Sequence, residues 1–420
     1  VTVVEKFGGP HRIARPRNGK TLGAASSPPL NVISATPDFK SRARTVATMA
    51  AATATAVDRE ARFPDEAFAA AKAQRLLGIL VPADLGGEGA NIADVVEVCY
   101  ALARACASTG MIFAMHQIMV ACLVRNAQSS AWHRRFLRRL CAEQLLLASS
   151  TTDGQGGGDL RKSDCAVEIQ DSRFTLVKNA TVMSYGAQAD AIVATARRTP
   201  DAPPTDQILV AIVKEDYRLE HLVDWDTLGM RGTCSAGFKL EAGGAAEQIL
   251  PEPYHKIHTQ TVMPVAHLTW SAVWAGIAAG AVDRARGFVR AAARKSGGQM
   301  PPGAAHLTRA SATLSTLRST IAAALQRYES ILCDDDAIAG LEFQTRLNLL
   351  KVTSSEFATA IVTSTMQANG LSGYRNDGEF SVARHLRDAL SSSIMINNDR
   401  ILANTASAAL LVDVAPSLTD

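Results

Sequence analysis

Hydrophobic and polar positions along this chain change their spacing twice. From residue 36 to 148, apolar residues recur at helical spacing through long Ala/Leu-rich stretches with few strand formers. Pro64-Asp65-Glu66 opens one helix with the acidic first turn that helix starts favour. Asp84-Leu-Gly-Gly-Glu-Gly89 predicts a tight turn just after Leu76-Leu-Gly-Ile-Leu-Val-Pro82. From 149 to 250 the pattern becomes short, β-branched and interrupted. Cys165-Ala-Val-Glu-Ile-Gln170, Arg173-Phe-Thr-Leu-Val177, Asp190-Ala-Ile-Val-Ala-Thr195 and Gln207-Ile-Leu-Val-Ala-Ile-Val213 each read as a strand. Gly243-Gly-Ala-Ala-Glu247 reads as a hairpin tip. From 251 to 420 the helical spacing returns, broken at Pro301-Pro302-Gly303 and at Asn369-Gly-Leu-Ser-Gly373. The expected fold is therefore α+β and multi-domain: an N-terminal helical domain, a central antiparallel β domain and a C-terminal antiparallel helical bundle. Residues 1–35 carry no sustained periodicity and read as a flexible tail. They lack the apolar stretch and cleavage site of a secretory signal.

Composition narrows the function classes. The 420 residues are 47% hydrophobic and 20% charged, as in ordinary globular proteins. A net charge of +3 is too small at this length to point to nucleic acid or an anionic membrane. No sustained apolar run reaches the roughly 18 residues of a membrane span. Arg134, Arg135, Arg138 and Arg139 alternate with Phe136, Leu137 and Leu140, which predicts the solvated face of an amphipathic helix rather than a nucleic-acid stripe. The seven cysteines are widely spaced, with no metal-binding pattern, and are expected to be thiols in a reducing cytoplasm.

The chemistry concentrates in motifs. Near the C-terminus, Gln367-Ala-Asn-Gly-Leu-Ser-Gly-Tyr374 leads through Ala383-Arg-His-Leu-Arg-Asp388 into Ser391-Ser-Ser-Ile-Met-Ile-Asn-Asn-Asp-Arg400. Upstream stand Leu77-Gly-Ile-Leu-Val-Pro-Ala-Asp-Leu-Gly-Gly-Glu-Gly89, Thr151-Thr-Asp-Gly-Gln-Gly-Gly-Gly-Asp159 and Val182-Met-Ser-Tyr-Gly-Ala-Gln-Ala-Asp190. Leu228-Gly-Met-Arg-Gly-Thr-Cys-Ser235 and Arg294-Lys-Ser-Gly-Gly298 complete the set. In order and spacing, these segments resemble the acyl-CoA dehydrogenase family from about residue 39 to the C-terminus.

The resemblance implies FAD held between the β domain and the bundle. It assigns flavin contacts to Thr151, Thr152, Gly157, Ser184 and Asn398. Arg294, Gln367 and Gly370 fall where the family grips the FAD pyrophosphate across a subunit contact, which implies a homo-oligomer, usually a tetramer. Gly158 replaces the serine that touches the thioester ligand, and His267 and Trp270 lie where substrate passes. Arg231 is expected to fix structure rather than perform chemistry. The family's catalytic Glu, however, is replaced by Ile396, and its alternative position around residues 268–270 is also empty. Candidate replacements are His116, on an apolar helix, and Asp399, three residues beyond the expected site.

Three functions remain open from the sequence. The first is an FAD-dependent oxidoreductase acting on an acyl-CoA or related thioester with hydride transfer to flavin, its electrons passing to an acceptor protein. The second is a monooxygenase of the same fold supplied with reduced flavin by a separate reductase, which needs no α-proton base. The third is a non-catalytic flavoprotein.

Overall fold

The computed structural model describes residues 38–126, 129–153 and 161–412. The first five helices are α1 (Phe39–Arg59), α2 (Asp65–Ala73), α3 (Ile92–Ala105), α4 (Ala107–Asn126) and α5 (Ala131–Glu143). Asp38 caps α1 by accepting the Ser41 N–H at 2.8 Å, and Asn91 and Asp94 form a reciprocal capping box at the start of α3. Helix α5 buries Phe136, Leu137 and Leu140, while Arg134, Arg135 and Arg139 pair outward with Asp84, Glu247 and Glu215. Its basic run is thus a solvated face, as the spacing predicts.

Among the described residues seven strands follow: β1 (Leu147–Ser150), β2 (Val167–Gln170), β3 (Arg173–Ala180), β4 (Ala191–Arg197), β5 (Gln207–Val213), β6 (Tyr217–Val223) and β7 (Gly237–Ala245). They form a three-stranded sheet ordered β1-β4-β5 and a four-stranded sheet ordered β2-β3-β7-β6. Among the named strands of the described residues, β1 pairs with β4 in parallel and the other pairings are antiparallel. Along β3 the burial alternates strictly, with Phe174, Leu176, Lys178 and Ala180 inward. The hairpin tip expected at residues 243–247 does not form. Gly243 and Gly244 instead continue β7 alongside Thr175 and Phe174. A side chain at Gly244 would lie 1.8 Å from Gln248 Oε1, so the glycine makes room for Gln248 rather than for a turn.

The bundle begins with α6 (Tyr254–Ile257), which runs through a π-helical turn (His258–Val262) into α7 (Met263–Lys295). Then come α8 (Ala304–Ser330), α9 (Asp335–Ala339), α10 (Leu341–Asn369), α11 (Leu371–Tyr374), α12 (Ala383–Leu390) and α13 (Asn398–Ala409). Helix α7 is the axis of the molecule, packed by α3, α4, α8, α10 and α12 and buried without interruption from Met263 to Val282. Against the expectation that no apolar run reaches the length of a span, α4 and the continuous helix through α7 are long and apolar enough to cross a bilayer, and both are buried inside the protein. Thus the expected order of helical, β and helical zones holds, with α7 as the core on which the other elements assemble.

Candidate functional site

Where the three zones meet, a cleft of about 420 Å³ opens between α4, the segment after β3, the 225–235 segment, and the end of α12 with the turn that follows. Its edge is clamped by the Leu228-Gly-Met-Arg231 run. Gly229 packs directly on α12, where a Cβ would stand 2.2 Å from the Arg387 carbonyl oxygen. The Met230 N–H donates to Asp388 Oδ1 at 2.7 Å. The Arg387 guanidinium donates to the Leu228 carbonyl at 2.9 Å and pairs with Asp58 at the end of α1. Arg231 donates to the Asp58 carbonyl at 2.9 Å, which gives it the expected structural role. Burial pushes the Asp388 carboxyl up to about 6, against the pull of Arg384 and the Met230 N–H. One helix from each helical zone and one loop of the β zone are therefore bolted together beside the cleft.

Inside the cleft, hydroxyls form a chain with a fixed direction. A hydroxyl has one proton to give. Thr233 Oγ1 gives its proton to the Met230 carbonyl at 2.8 Å, so it can only accept from Ser235 Oγ, also at 2.8 Å. Ser235, its proton committed, must accept from Ser184 Oγ at 2.8 Å. Ser184 thus shows the cleft lone pairs and no donor. Around it stand large apolar residues that the single chain leaves open: Val182 is 44% exposed, Leu228 63% and Ile394 73%. An acceptor hydroxyl framed by exposed apolar walls fits a flat, largely apolar ring with N–H on its edge, and an isoalloxazine is such a group.

The other expected site residues are placed as follows. Thr151 and Thr152 follow β1, half-buried, at the mouth of the segment that leads to Gly157 and Gly158; those two glycines, like the 1–35 segment, lie outside the described residues. The adjoining Asp153 is buried and pairs with Lys178 Nζ at 2.5 Å, while its Oδ2 accepts from Ser163 Oγ at 2.7 Å and the Asp164 N–H at 2.6 Å. Arg294, Gln367 and Gly370 are exposed and do not line the cleft. Arg294 lies 20 residues along α7 from Trp274, roughly 30 Å away by helical rise.

Neither catalytic candidate is in a position to act as a base at the cleft. His116 is fully buried, with Nε2 donating to the Leu77 carbonyl at 2.8 Å and Nδ1 accepting the Leu147 N–H at 3.0 Å. Both ring nitrogens are occupied by backbone, and burial pushes the imidazole down to about 4, so His116 is a neutral strut between α4 and β1. Asp399 is exposed in the first turn of α13, away from the cleft lining, where it complements the helix dipole. Asn398 turns inward instead: its Oδ1 accepts from Lys351 Nζ at 2.6 Å and its amide donates to Ser355 at 2.9 Å. His267 hydrogen-bonds the Leu347 carbonyl at 2.9 Å and packs near Trp270, and neither residue lines the cleft. Ile396, in place of the family's Glu, sits half-buried at φ 48°.

Sequence reasoning passed over three groups. Ser235 and Thr233 lay unremarked inside the 228–235 motif. Lys351 is fully buried, donates to the Ser392 carbonyl at 2.9 Å as well as to Asn398, and lies 5.5 Å from the Trp274 ring centroid. It anchors the 391–398 turn. A lone lysine within the apolar run Leu349-Leu-Lys-Val352 was the available signal.

Comparison with known proteins places this geometry. The family models for the acyl-CoA dehydrogenase N-terminal and C-terminal domains match residues 37–144 and 258–411. Over 353 residues the chain is 26% identical to an amino sugar nitrososynthase, DnmZ, of Streptomyces peucetius, covering 80% of this chain and 84% of that one. It is 25% identical over 360 residues to cyclohex-1-ene-1-carbonyl-CoA dehydrogenase of Geobacter metallireducens, covering 84% and 92%. Among solved structures, FMN-bound TdsC from Paenibacillus sp. A11-2 superposes with a TM-score of 0.79 at 18% identity, covering 91% of this chain and 100% of that one. Butyryl-CoA dehydrogenase from Megasphaera elsdenii superposes with a TM-score of 0.72 at 19% identity, covering 89% and 98%.

Proposed function

Because the chain belongs to the acyl-CoA dehydrogenase family, whose members are flavin-dependent enzymes, we propose that it is a flavin monooxygenase supplied with reduced flavin by a separate reductase. The observation that carries this reading is the cleft lining. Among the described residues its only ionisable side chain is Arg387, already paired with Asp58. Dehydrogenation of an acyl thioester needs a carboxylate or comparable base at the α carbon, and the described lining supplies none. Oxygenation needs no such base.

Reduced flavin, when bound, supplies the two electrons that let dioxygen place one oxygen atom on the substrate and release the other as water. The chain's own residues set the conditions for that chemistry. Ser184 Oγ, kept an acceptor by Ser235 and Thr233, would accept an N–H from the edge of a flavin ring held in the cleft. Val182, Leu228 and Ile394, exposed in the single chain, would pack on a bound ring and, with Met230, keep water from it. Arg294, Gln367 and Gly370 are kept for the pyrophosphate of a partner copy's FAD, which makes the working form a homo-oligomer, a tetramer in this reading, in the cytoplasm. The substrate is a neutral small molecule with an oxidisable nitrogen or sulfur. Relatives named as nitrososynthases and as a dibenzothiophene monooxygenase support that class.

The test has two arms. Protein supplied with enzymatically reduced FAD should consume oxygen and oxygenate members of a panel of amines and thioethers. Anaerobic mixing of the oxidised, FAD-loaded protein with acyl-CoAs of varied length should leave the flavin absorbance unchanged. Bleaching by an acyl-CoA would overturn the reading in favour of a dehydrogenase.

A further inference from the structure

A second cavity, about 910 Å³, opens on the far side of the Arg387–Asp58 clamp, between α1, α3, α7 and α12. Four arginines line it: Arg44, Arg104, Arg284 and Arg384. The acids along it are Asp283, which is engaged by Arg104 at 2.6 Å, and Glu379, whose carbonyl oxygen rather than its carboxylate accepts from Arg284 at 2.7 Å. Arg44 and Arg384 have no hydrogen-bonded side-chain partner among the described residues. Arg284 and Arg384 both face the cavity from half-buried positions, with no carboxylate bridging them. At the base lies His385, 5% exposed, with Nδ1 buried and unpartnered. A buried polar atom without a protein partner calls for one from outside the chain, a water or a ligand group, and here it borders the arginine-lined space. Phe380 and Tyr100, whose ring has the Arg318 guanidinium 5.9 Å from its centroid, supply flat surface in the same groove.

We propose that this groove binds a nucleotide, its phosphates held by Arg44, Arg284 and Arg384 and its base seated against Tyr100 or Phe380. The guanidinium fork suits phosphate oxygens, and paired arginines facing one space are stabilised by a dianion between them. The chain's own N-terminal segment is not a suitable occupant. Residues 1–37 carry Lys6, Arg12, Arg15, Arg17 and Lys20 against the single acid Glu5. The groove is also separate from the flavin cleft, and Arg294, Gln367 and Gly370 do not line it.

Titration calorimetry of the full-length, FAD-saturated protein tests this with ADP, pyrophosphate and adenosine as probes. Saturation with FAD fills the flavin's own nucleotide contacts beforehand. ADP should bind at one site per chain, and pyrophosphate more weakly. Arg44→Gln, on the surface of α1, should weaken ADP at least threefold. The double variant with Arg384→Gln should weaken it at least tenfold, with the flavin spectrum unchanged. Tyr100→Leu should weaken ADP while leaving pyrophosphate unaffected. No ADP binding at millimolar concentration, or binding untouched by the double variant, would overturn the proposal. So would a double variant that changes the oligomeric state by light scattering while ADP binding stays the same, because the groove would then be a subunit contact.

Discussion

Ile396 stands where the resemblance puts the family's carboxylate, in a backbone conformation that β-branched residues avoid. Its φ of 48° costs on the order of 1–3 kcal/mol, a strain that glycine would not carry. Ile396→Gly gives up part of a half-buried side chain but relieves that strain. It should leave the melting temperature unchanged or raise it slightly in a thermal-shift assay; a drop of several degrees would show that the side chain contributes more than the turn costs. Ser184 offers a second test at this scale. Removing its oxygen in Ser184→Ala deletes one hydrogen bond to the ring, worth about 1 kcal/mol, so flavin affinity should fall about fivefold by fluorescence titration. Ser235→Ala should have a smaller effect, because it only frees the Ser184 proton to reorient. Equal affinity in wild type and Ser184→Ala would remove Ser184 from the flavin site.

At the scale of elements, the site depends on contacts between segments that are distant in sequence. Gly229 lets the 228–231 run lie flush on α12, and a methyl group there would meet the Arg387 backbone at 2.2 Å. Gly229→Ala should therefore cost several kcal/mol by forcing the clamp open, with flavin retention on purification lost along with thermal stability. Asp153 follows β1 and is tied to β3 through Lys178. Asp153→Asn would leave Lys178 buried without its counter-charge, at a cost of about 3–5 kcal/mol. A milder loss in the double variant Asp153→Leu with Lys178→Met would show that the penalty comes from the orphaned charge. Part of this was legible in the sequence. Lys178 occupies the inward phase of β3 between Leu176 and Ala180, and a lysine on an apolar register must find an acid. Its partner was not legible, because Asp153 comes from another strand's end. The Gly243-Gly244 pair misled for a related reason: glycine signals a turn when read locally, yet here it accommodates the side chain of Gln248.

At the scale of the whole molecule, the order of helical, β and helical zones was readable because periodicity is a local property. The glycine and proline breaks also fell where the helices end. Which histidines and lysines would be buried was not readable, since the Met263–Val282 part of α7 carries no Asp, Glu, Lys or Arg by which to orient it. The consequence is a stability profile dominated by buried bases. His116, His133 and His267 are each pushed down to about 4 by burial, and His385 well below its ordinary value. In the unfolded chain these groups titrate near 6.5, so between 6.5 and 4 the unfolded state binds protons that the folded state refuses. The histidines' contribution to stability is fully present above pH 6.5 and falls as pH drops toward 4, by on the order of 3 kcal/mol for each one held near 4. Asp388 acts in the opposite sense, because its carboxyl is pushed up to about 6 and the folded state holds the extra proton between its ordinary range and that value. One acid against four bases leaves the histidines in control. Lys351, pushed down to about 7 by burial, extends the same trend upward, since the cost of burying its charge is relieved as pH rises from 7 toward its ordinary range. The melting temperature should therefore rise from pH 5 to 7.5 by about 5 °C or more and continue upward toward pH 9, where a surface-charge effect in a chain of net charge +3 would be small. His116→Gln should lower stability at pH 7.5 yet shrink the gap between pH 5 and 7.5. An equal or higher melting temperature at pH 5 would mean that the protonated imidazoles find hydrogen-bond acceptors in the folded chain.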